Sequence, residues 1–440
     1  MKKVFSVLLC LAMLLSVTAL AETYPDGTVT MWCTGQPEFR MEYFRTWLEN
    51  HRDIAPNVSV ESTVISTTTD GQQKIAMYAM SDDFASMPIV IYQDAIGVMN
   101  MVANNLLLDV TDRYNEVADQ LVDNAAADVT IDGKVYALPD SLRPQVLFYN
   151  AAIFEKYDVD PAMMNTMEGY LEAGRLLKER SNGEVYLSYI DPSTFTWRYW
   201  GRRGLMPQAN ARIWDEKGEV VIGEDAGTKL ALGFLDKLNS EGLLYKVGMM
   251  SQPLYEATDE GKIATFYIGA FWDEFLRANL KKTAGEWRVM SAPVFEEVGT
   301  AGAPVSSFYC LVDCKNEQYT DLAIKMWKDF ATDGEAYKAW VTKMDEVSGP
   351  YSNPISKAML EDPFWQAPSE FYGGQSFRKA ESDGLKNPSK NMPLTLNDAE
   401  ADTIISAEIE KYVAGEQTMD EAISNMDKEL KNRIGTAVYP

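Results

Sequence analysis

Short apolar runs alternate with helical stripes along most of this chain. Thr28 to Trp32 reads as a first buried strand, and the helix after it carries Met41, Phe44, Trp47 and Leu48 on one face. Behind Pro56, Val58, Val60 and Val64 alternate as a second strand, and Pro88 to Tyr92 gives a third, wholly apolar one. Farther on, Ala231, Phe234, Leu235 and Leu238 form a helical stripe closed by Gly242. Ile263 to Ile268 predicts a strand ending at Gly269, and Arg288 to Ser291 and Phe308 to Val312 predict two more. A Thr320 cap precedes a helix with Ala323, Met326, Trp327 and Phe330 inward. The spacings Thr395-x-x-Asp398 and Thr418-x-x-Glu421 are capping boxes that open two late helices. The last helix is striped by Met419, Ile423, Met426, Leu430 and Ile434. Strands and helices in alternation predict an α/β fold.

One segment organises the rest. Asp132-Gly133-Lys134-Val135-Tyr136-Ala137-Leu138-Pro139, followed by Phe148-Tyr149-Asn150, reads as a polar turn, a short strand, a proline and a second apolar strand. Such a compact connection suits a chain leaving one lobe and entering another.

The first 21 residues have the form of an export signal: Lys2 and Lys3, an apolar stretch from Val4 to Leu15, then Ala19-Leu20-Ala21 before Glu22. That stretch is too short to span a bilayer. Cys10 lies inside it, badly placed for a lipid anchor. The expectation is a soluble exported protein, periplasmic or extracellular. A net charge of −25 spread along 440 residues disfavours nucleic acid and anionic lipid, which need a positive face. Past the signal only Cys33, Cys310 and Cys314 remain, and one histidine, His51, which is expected at an exposed helix end. Cysteines four apart on an extended strand are about 13 Å apart, beyond the reach of a disulfide. With one histidine they also make no metal site by themselves. Buried or reduced thiols are the expectation, with no cofactor and no metal.

At this point the chain resembles the extracellular solute-binding proteins of family 1, the maltodextrin-binding type. The marks of the resemblance run in order along nearly all of it. They are Val29-Thr30-Met31-Trp32, the Asp132 to Asn150 segment, Phe195-Thr196-Trp197, Asp259-Glu260-Gly261-Lys262-Ile263-Ala264-Thr265 leading to Gly269-Ala270-Phe271-Trp272, and Gly415-Glu416-Gln417-Thr418-Met419-Asp420-Glu421-Ala422. Two stretches depart from the family pattern: Pro88-Ile89-Val90, and Met164-Asn165-Thr166-Met167-Glu168-Gly169. The resemblance implies two α/β lobes joined by three crossings, in the type II periplasmic-binding-protein arrangement, closing on a ligand between them. It implies a discontinuous division, with an N-terminal lobe expected from residues 22–141 and 287–330 and a C-terminal lobe from 142–286 and 331–440. Hinge closure of such receptors is a general property of the class. A monomer delivering a mono- or oligosaccharide to the permease subunits of an ABC importer is the implied function.

A neutral sugar presents hydroxyls all round and C–H patches on its ring faces, so its site needs planar aromatics and side chains that hydrogen-bond in pairs. The resemblance puts a sugar-stacking tryptophan at Trp272, with Asp273 beside it, although either is also readable as core. It assigns second-lobe aromatics to the stretch holding Trp197 and Trp200. On a strand those two cannot share a face, so one in and one out is expected. Thr34, Gln36 and Glu38 follow the first strand as ligand contacts or as helix caps. Tyr92, Gln93 and Asp94 end the third strand and line the cleft on this reading. Arg143 binds vicinal hydroxyls or a sugar acid, or else pairs with Asp140. Trp365 and Tyr372 belong to a late aromatic loop that would add a subsite.

Two other classes stay in play. One is a secreted glycan-active enzyme with a carboxylate pair, which 65 acidic residues allow by number alone. The other is the same two-lobed receptor serving a polyamine or a peptide. No nucleophile elbow, phosphate loop or zinc-spaced set supports further chemistry.

Overall fold

A computed structural model describes residues 23–34, 37–123, 125–347 and 354–439. The side chains of 37–39, 68, 305 and 345–347 are not described. The export signal expected over residues 1–21 lies outside the described residues.

Seven strands form one continuous sheet: β1 (Gly27–Cys33), β2 (Val58–Val64), β3 (Val90–Gln93), β4 (Leu138–Asn150), β5 (Thr265–Gly269), β6 (Trp287–Ser291) and β7 (Pro304–Leu311). β2, β1 and β3 run parallel, with Met31 beside both Ser62 and Val90. β7 joins antiparallel, between β3 and the first half of β4. The second half of β4 then takes antiparallel partners on both sides, β5 from Gln145 and β6 from Val146.

β4 is therefore one strand serving both halves of the sheet, and its partners change at Pro144-Gln145. Pro144 has no N–H to give, while its carbonyl accepts from Ala270 N at 2.8 Å; Gln145 N donates to Ala303 O at 3.0 Å. The second chain crossing passes close by, and a Cβ on Gly302 would sit 2.3 Å from the Cβ of Gln145. Only glycine lets the two backbones approach this closely. Upstream, Asp132 (φ 49°) and Gly133 (φ 76°) make the left-handed turn between the short strands Thr130–Ile131 and Lys134–Val135. Pro139 falls where the β4–β7 register shifts, between Ser307 and Phe308, which leaves Asp140 as the extra residue.

The apolar stripes pack into separate cores. The first gathers Val29 to Leu138 with Phe308 to Trp365, the second Leu147 to Phe295 with Met392 to Ala437, and a third, around Val146, Phe266 and Trp287, extends to Tyr372 and Phe377. This packing places two of the three boundaries read from sequence elsewhere. Trp287–Ser291 belongs with the second lobe, because it pairs with Val146 to Asn150. The helix Gly334–Val347 belongs with the first, because Tyr337 and Trp340 stack around Phe330, and Trp340 also meets Tyr43. Crossings consequently fall at β4, between β6 and β7, and between Trp365 and Tyr372.

Local details follow or amend the expected caps. Thr418 and Glu421 form the full capping box. Thr395 does not cap: its N–H donates to Asp398 Oδ2 at 2.9 Å and the helix starts at Asp398. The helix expected after Thr320 is capped by Asn316 and spans Glu317–Thr332. Gly242 (φ 66°) follows the helix Ala226–Ser240, as its position predicts. His51 is half-buried and stacked on Trp47 at 3.9 Å, not exposed. Cys33, Cys310 and Cys314 are buried. Among the described residues no helix is long and apolar enough to cross a membrane, and no His/Cys/Asp/Glu cluster suits a metal.

Candidate functional site

A cavity of 460 Å³ lies between the two lobes, within the roughly 300–1,000 Å³ typical of small-ligand sites. From the first lobe it is lined by Cys33 at the end of β1 and Thr34 after it, Ser66 and Thr67 after β2, and Tyr92, Gln93 and Asp94 at the end of β3. These are the carboxyl ends of parallel strands, where open α/β sheets place ligands. Ser141 and Arg143 of β4 and Ser306 and Ser307 of β7 form its floor, and Arg40 reaches in from the first helix.

The second lobe contributes an uncommon element. Thr196–Leu205 is a ten-residue π-helix, its end marked by Met206 N–H donating to Gly201 O. Bonding from i to i+5 brings residues five apart onto one side, and π segments recur at functional sites. Here that places Arg198, Tyr199 and Arg203 together on the cleft, with Phe195 just before them. Trp197 and Trp200 both turn inward and are buried, so the expectation of one in and one out, made for a strand, does not hold. Trp197 Nε1 donates to Asp402 Oδ1 at 2.8 Å and Trp200 Nε1 to Tyr189 O at 3.2 Å.

The helix Trp272–Asn279 repeats the lesson at α spacing. Phe271, Glu274 and Phe275 (i, i+3, i+4) face the cleft, whereas Trp272, Asp273 and Leu276 face the core. Trp272 is fully buried against Phe275 (4.9 Å), Phe266 (5.6 Å) and Tyr255 (6.2 Å). It is not among the residues that line the cavity. Asp273 is spent on Arg277 Nε (2.7 Å) and Tyr372 OH (2.5 Å). Trp365, in the first core against Tyr337 and Phe364, and Tyr372, under Phe377, are likewise buried away from the cavity. Gln36 and the Glu38 side chain lie outside the described residues.

Thus Thr34, Tyr92, Gln93, Asp94 and Arg143 line one cavity, and its second-lobe side is lined by neighbours of the residues first singled out. Arg143 does not pair with Asp140. It meets Glu274 at 2.9 Å, while Asp140 takes Arg40 through two bonds of 2.6 and 3.2 Å. Arg40 in turn lies 4.7 Å over the Tyr92 ring. Gln93 accepts from Gln72 at 2.9 Å, and among the described residues its Nε2 has no partner.

Across the mouth, one carboxylate ties the lobes together. Asp94 caps its own helix through Gly97 N (2.9 Å), and its Oδ2 accepts from Arg203 (2.5 Å) and Arg198 (3.0 Å) of the other lobe. Burial raises its pKa, but the two guanidiniums and the Gly97 bond outweigh that and hold it at about 2. Its folded-state value lies below its unfolded one, so its stabilisation is present above about pH 4 and is lost as pH falls toward 2. Asp94→Asn keeps the cap and is expected to lose about 2 kcal/mol at neutral pH. Denaturant unfolding at a series of pH values should show the difference from wild type closing as pH 2 is approached.

A sequence profile of the bacterial extracellular solute-binding proteins matches residues 50–372. The chain belongs to that family. Over 275 residues it is 24% identical to an arabinooligosaccharide-binding protein of Halalkalibacterium halodurans, a match covering 60% of this chain and 58% of that one. A Bacillus subtilis protein of the same description is 22% identical over 271 residues, covering 56% and 59%. The matches thus span less than two thirds of these relatives. Among solved structures, the binding protein of B. animalis subsp. lactis in complex with β-1,6-galactobiose superposes with a TM-score of 0.75 at 20% identity, covering 94% of this chain and all of that one. A Listeria monocytogenes ABC substrate-binding protein in complex with cycloalternan gives 0.73 at 17%, over 94% and 100%. The two-lobed α/β fold of this family member is the fold of those proteins.

Proposed function

We propose that this protein is an exported receptor that binds an oligosaccharide between its lobes and hands it, as a monomer, to the permease of an ABC importer. The observation that carries the reading is the cleft itself. The faces of Tyr199, Phe271 and Phe275 and the donors and acceptors of Arg40, Gln93, Arg143 and Ser307 converge on one 460 Å³ space between two lobes. That is the mixture a sugar needs. The named ligands of the similar proteins, all saccharides, point the same way. A ligand touching both lobes favours the closed arrangement by its differential contacts.

The chemistry of the cleft argues against hydrolysis. A glycosidase needs one carboxyl kept protonated near neutral pH. Asp94 is held at about 2 and Glu274 is paired with Arg143. The four arginines also argue against a polyamine, whose charges they would repel.

A thermal-shift panel of arabino-, galacto- and gluco-oligosaccharides, peptides and polyamines tests the reading. A bound glycan at a hundredfold excess over its Kd should add roughly 2.7 kcal/mol of stability, without releasing reducing ends. New reducing ends, or stabilisation by spermidine or peptides alone, would refute it.

A further inference from the structure

In a chain with 65 acidic and 40 basic residues, the interlobe cleft reverses the balance. Four guanidiniums line it, Arg40, Arg143, Arg198 and Arg203, against the carboxylates of Asp94 and Glu274. With Asp140 beneath Arg40 counted, four guanidiniums face three carboxylates among the described residues. The excess has a definite place. Arg40 has Asp140 and Arg143 has Glu274, but Arg198 and Arg203 share the single oxygen Oδ2 of Asp94. Both guanidiniums also lie against the same ring, 5.8 and 5.4 Å from the Tyr199 centroid. Mutual repulsion therefore opposes their placement; among the described residues Asp94 is the one carboxylate in contact with both, and Asp402 adds a more distant attraction on Arg198. A second carboxylate entering beside them would complete the set.

Resting on the carbohydrate-receptor reading above, we propose that the ligand is an acidic saccharide, a uronic-acid-containing oligosaccharide whose carboxylate is taken by Arg198 and Arg203. The planar forks of two arginines match a carboxylate's two oxygens, which a hydroxyl cannot do. Phe271, Phe275 and Tyr199 supply apolar faces for the rest of the sugar ring, so the site is built for a charged group on a carbohydrate body, not for a small inorganic anion. The negative exterior does not prevent entry, because its field is screened within about a nanometre at physiological salt. Inside the cleft the local positive charge dominates.

The test is a calorimetric comparison of matched ligands on the full folded protein. Di- and trigalacturonate and a glucuronic-acid-substituted xylo-oligosaccharide are each paired with their methyl ester and with galactobiose or xylotriose. Esterification removes the charge and keeps the shape. At least one acid should bind about tenfold to a hundredfold tighter than its ester, the worth of charge-assisted bonds, and this advantage should shrink with added salt. In Arg198→Gln the acid-to-ester ratio should fall about tenfold or more. The wild-type comparison stands by itself if that variant does not fold. Neutral oligosaccharides binding as tightly as acids, or esters as tightly as free acids, would overturn the acidic-ligand inference while leaving the carbohydrate receptor intact. No saccharide binding of either kind, with or without capture of peptide carboxylates, would overturn both.

Discussion

Trp272→Ala should destabilise the protein by about 3–5 kcal/mol, the usual cost of emptying a large aromatic site in a packed core. The ring is fully buried between Tyr255, Phe266 and Phe275, and no collapse of those rings fills the space of an indole. Urea unfolding followed by far-UV circular dichroism measures the loss. Phe275 lines the cleft and rests on Trp272 at 4.9 Å, so some loosening of ligand binding accompanies the change. Trp272→Phe, which keeps an aromatic there, should retain ligand affinity within about tenfold, since lost packing and not a lost ligand contact is involved. Full stability together with abolished binding would place Trp272 in the cleft after all.

The second large effect concerns Glu381, behind the floor of the site. It is 1% exposed on the helix Phe377–Gly384, and among the described residues neither of its oxygens has a hydrogen-bond partner. Burial pushes its pKa up, Arg143 and Arg378 pull it down, and Asp273 and Glu274 push it up again, to about 7. Between pH 4.5 and 7 the native state keeps a proton that the unfolded chain has released. Native protein binds the extra proton, so stability falls as pH rises through that window, by about 3 kcal/mol in all. Glu381→Gln cannot titrate and should lack this slope, which leaves it more stable than wild type at about pH 8 relative to their difference at pH 4.5. Parallel denaturant midpoints across the range would contradict the assignment.

Much of the fold was legible because buried strands and helical stripes are local signals. Val29, Met31, Val90 and Ile91 are all buried where the apolar runs predicted. The second and third lobe boundaries were not legible, because they depend on distant pairing: nothing in Trp287 to Ser291 announces that it will lie beside Val146 to Asn150. At the site the sequence pointed to the right loops and the wrong side chains. Gly269-Ala270-Phe271-Trp272 does lead into the cleft, but a helix begins at Trp272, and its turn carries Phe271 outward and the tryptophan in. Read as a strand, Phe195 to Trp200 gives alternate faces; as a π-helix it buries both tryptophans and unites Arg198 with Arg203. The sequence signal for these arginines was their own density, three in six residues, in a chain otherwise rich in acid.

If a saccharide is held between the lobes by the aromatic and arginine face of the cleft, titrating Tyr199→Ala by calorimetry with the glycan that stabilises the wild type should show weaker binding. Tyr199 lines the cavity and underlies both guanidiniums. Removing a stacking aromatic from a ligand site should cost about 2 kcal/mol or more, some thirtyfold in Kd. Affinity unchanged in Tyr199→Ala, with the variant folded, would show that the ligand sits elsewhere and would contradict the account.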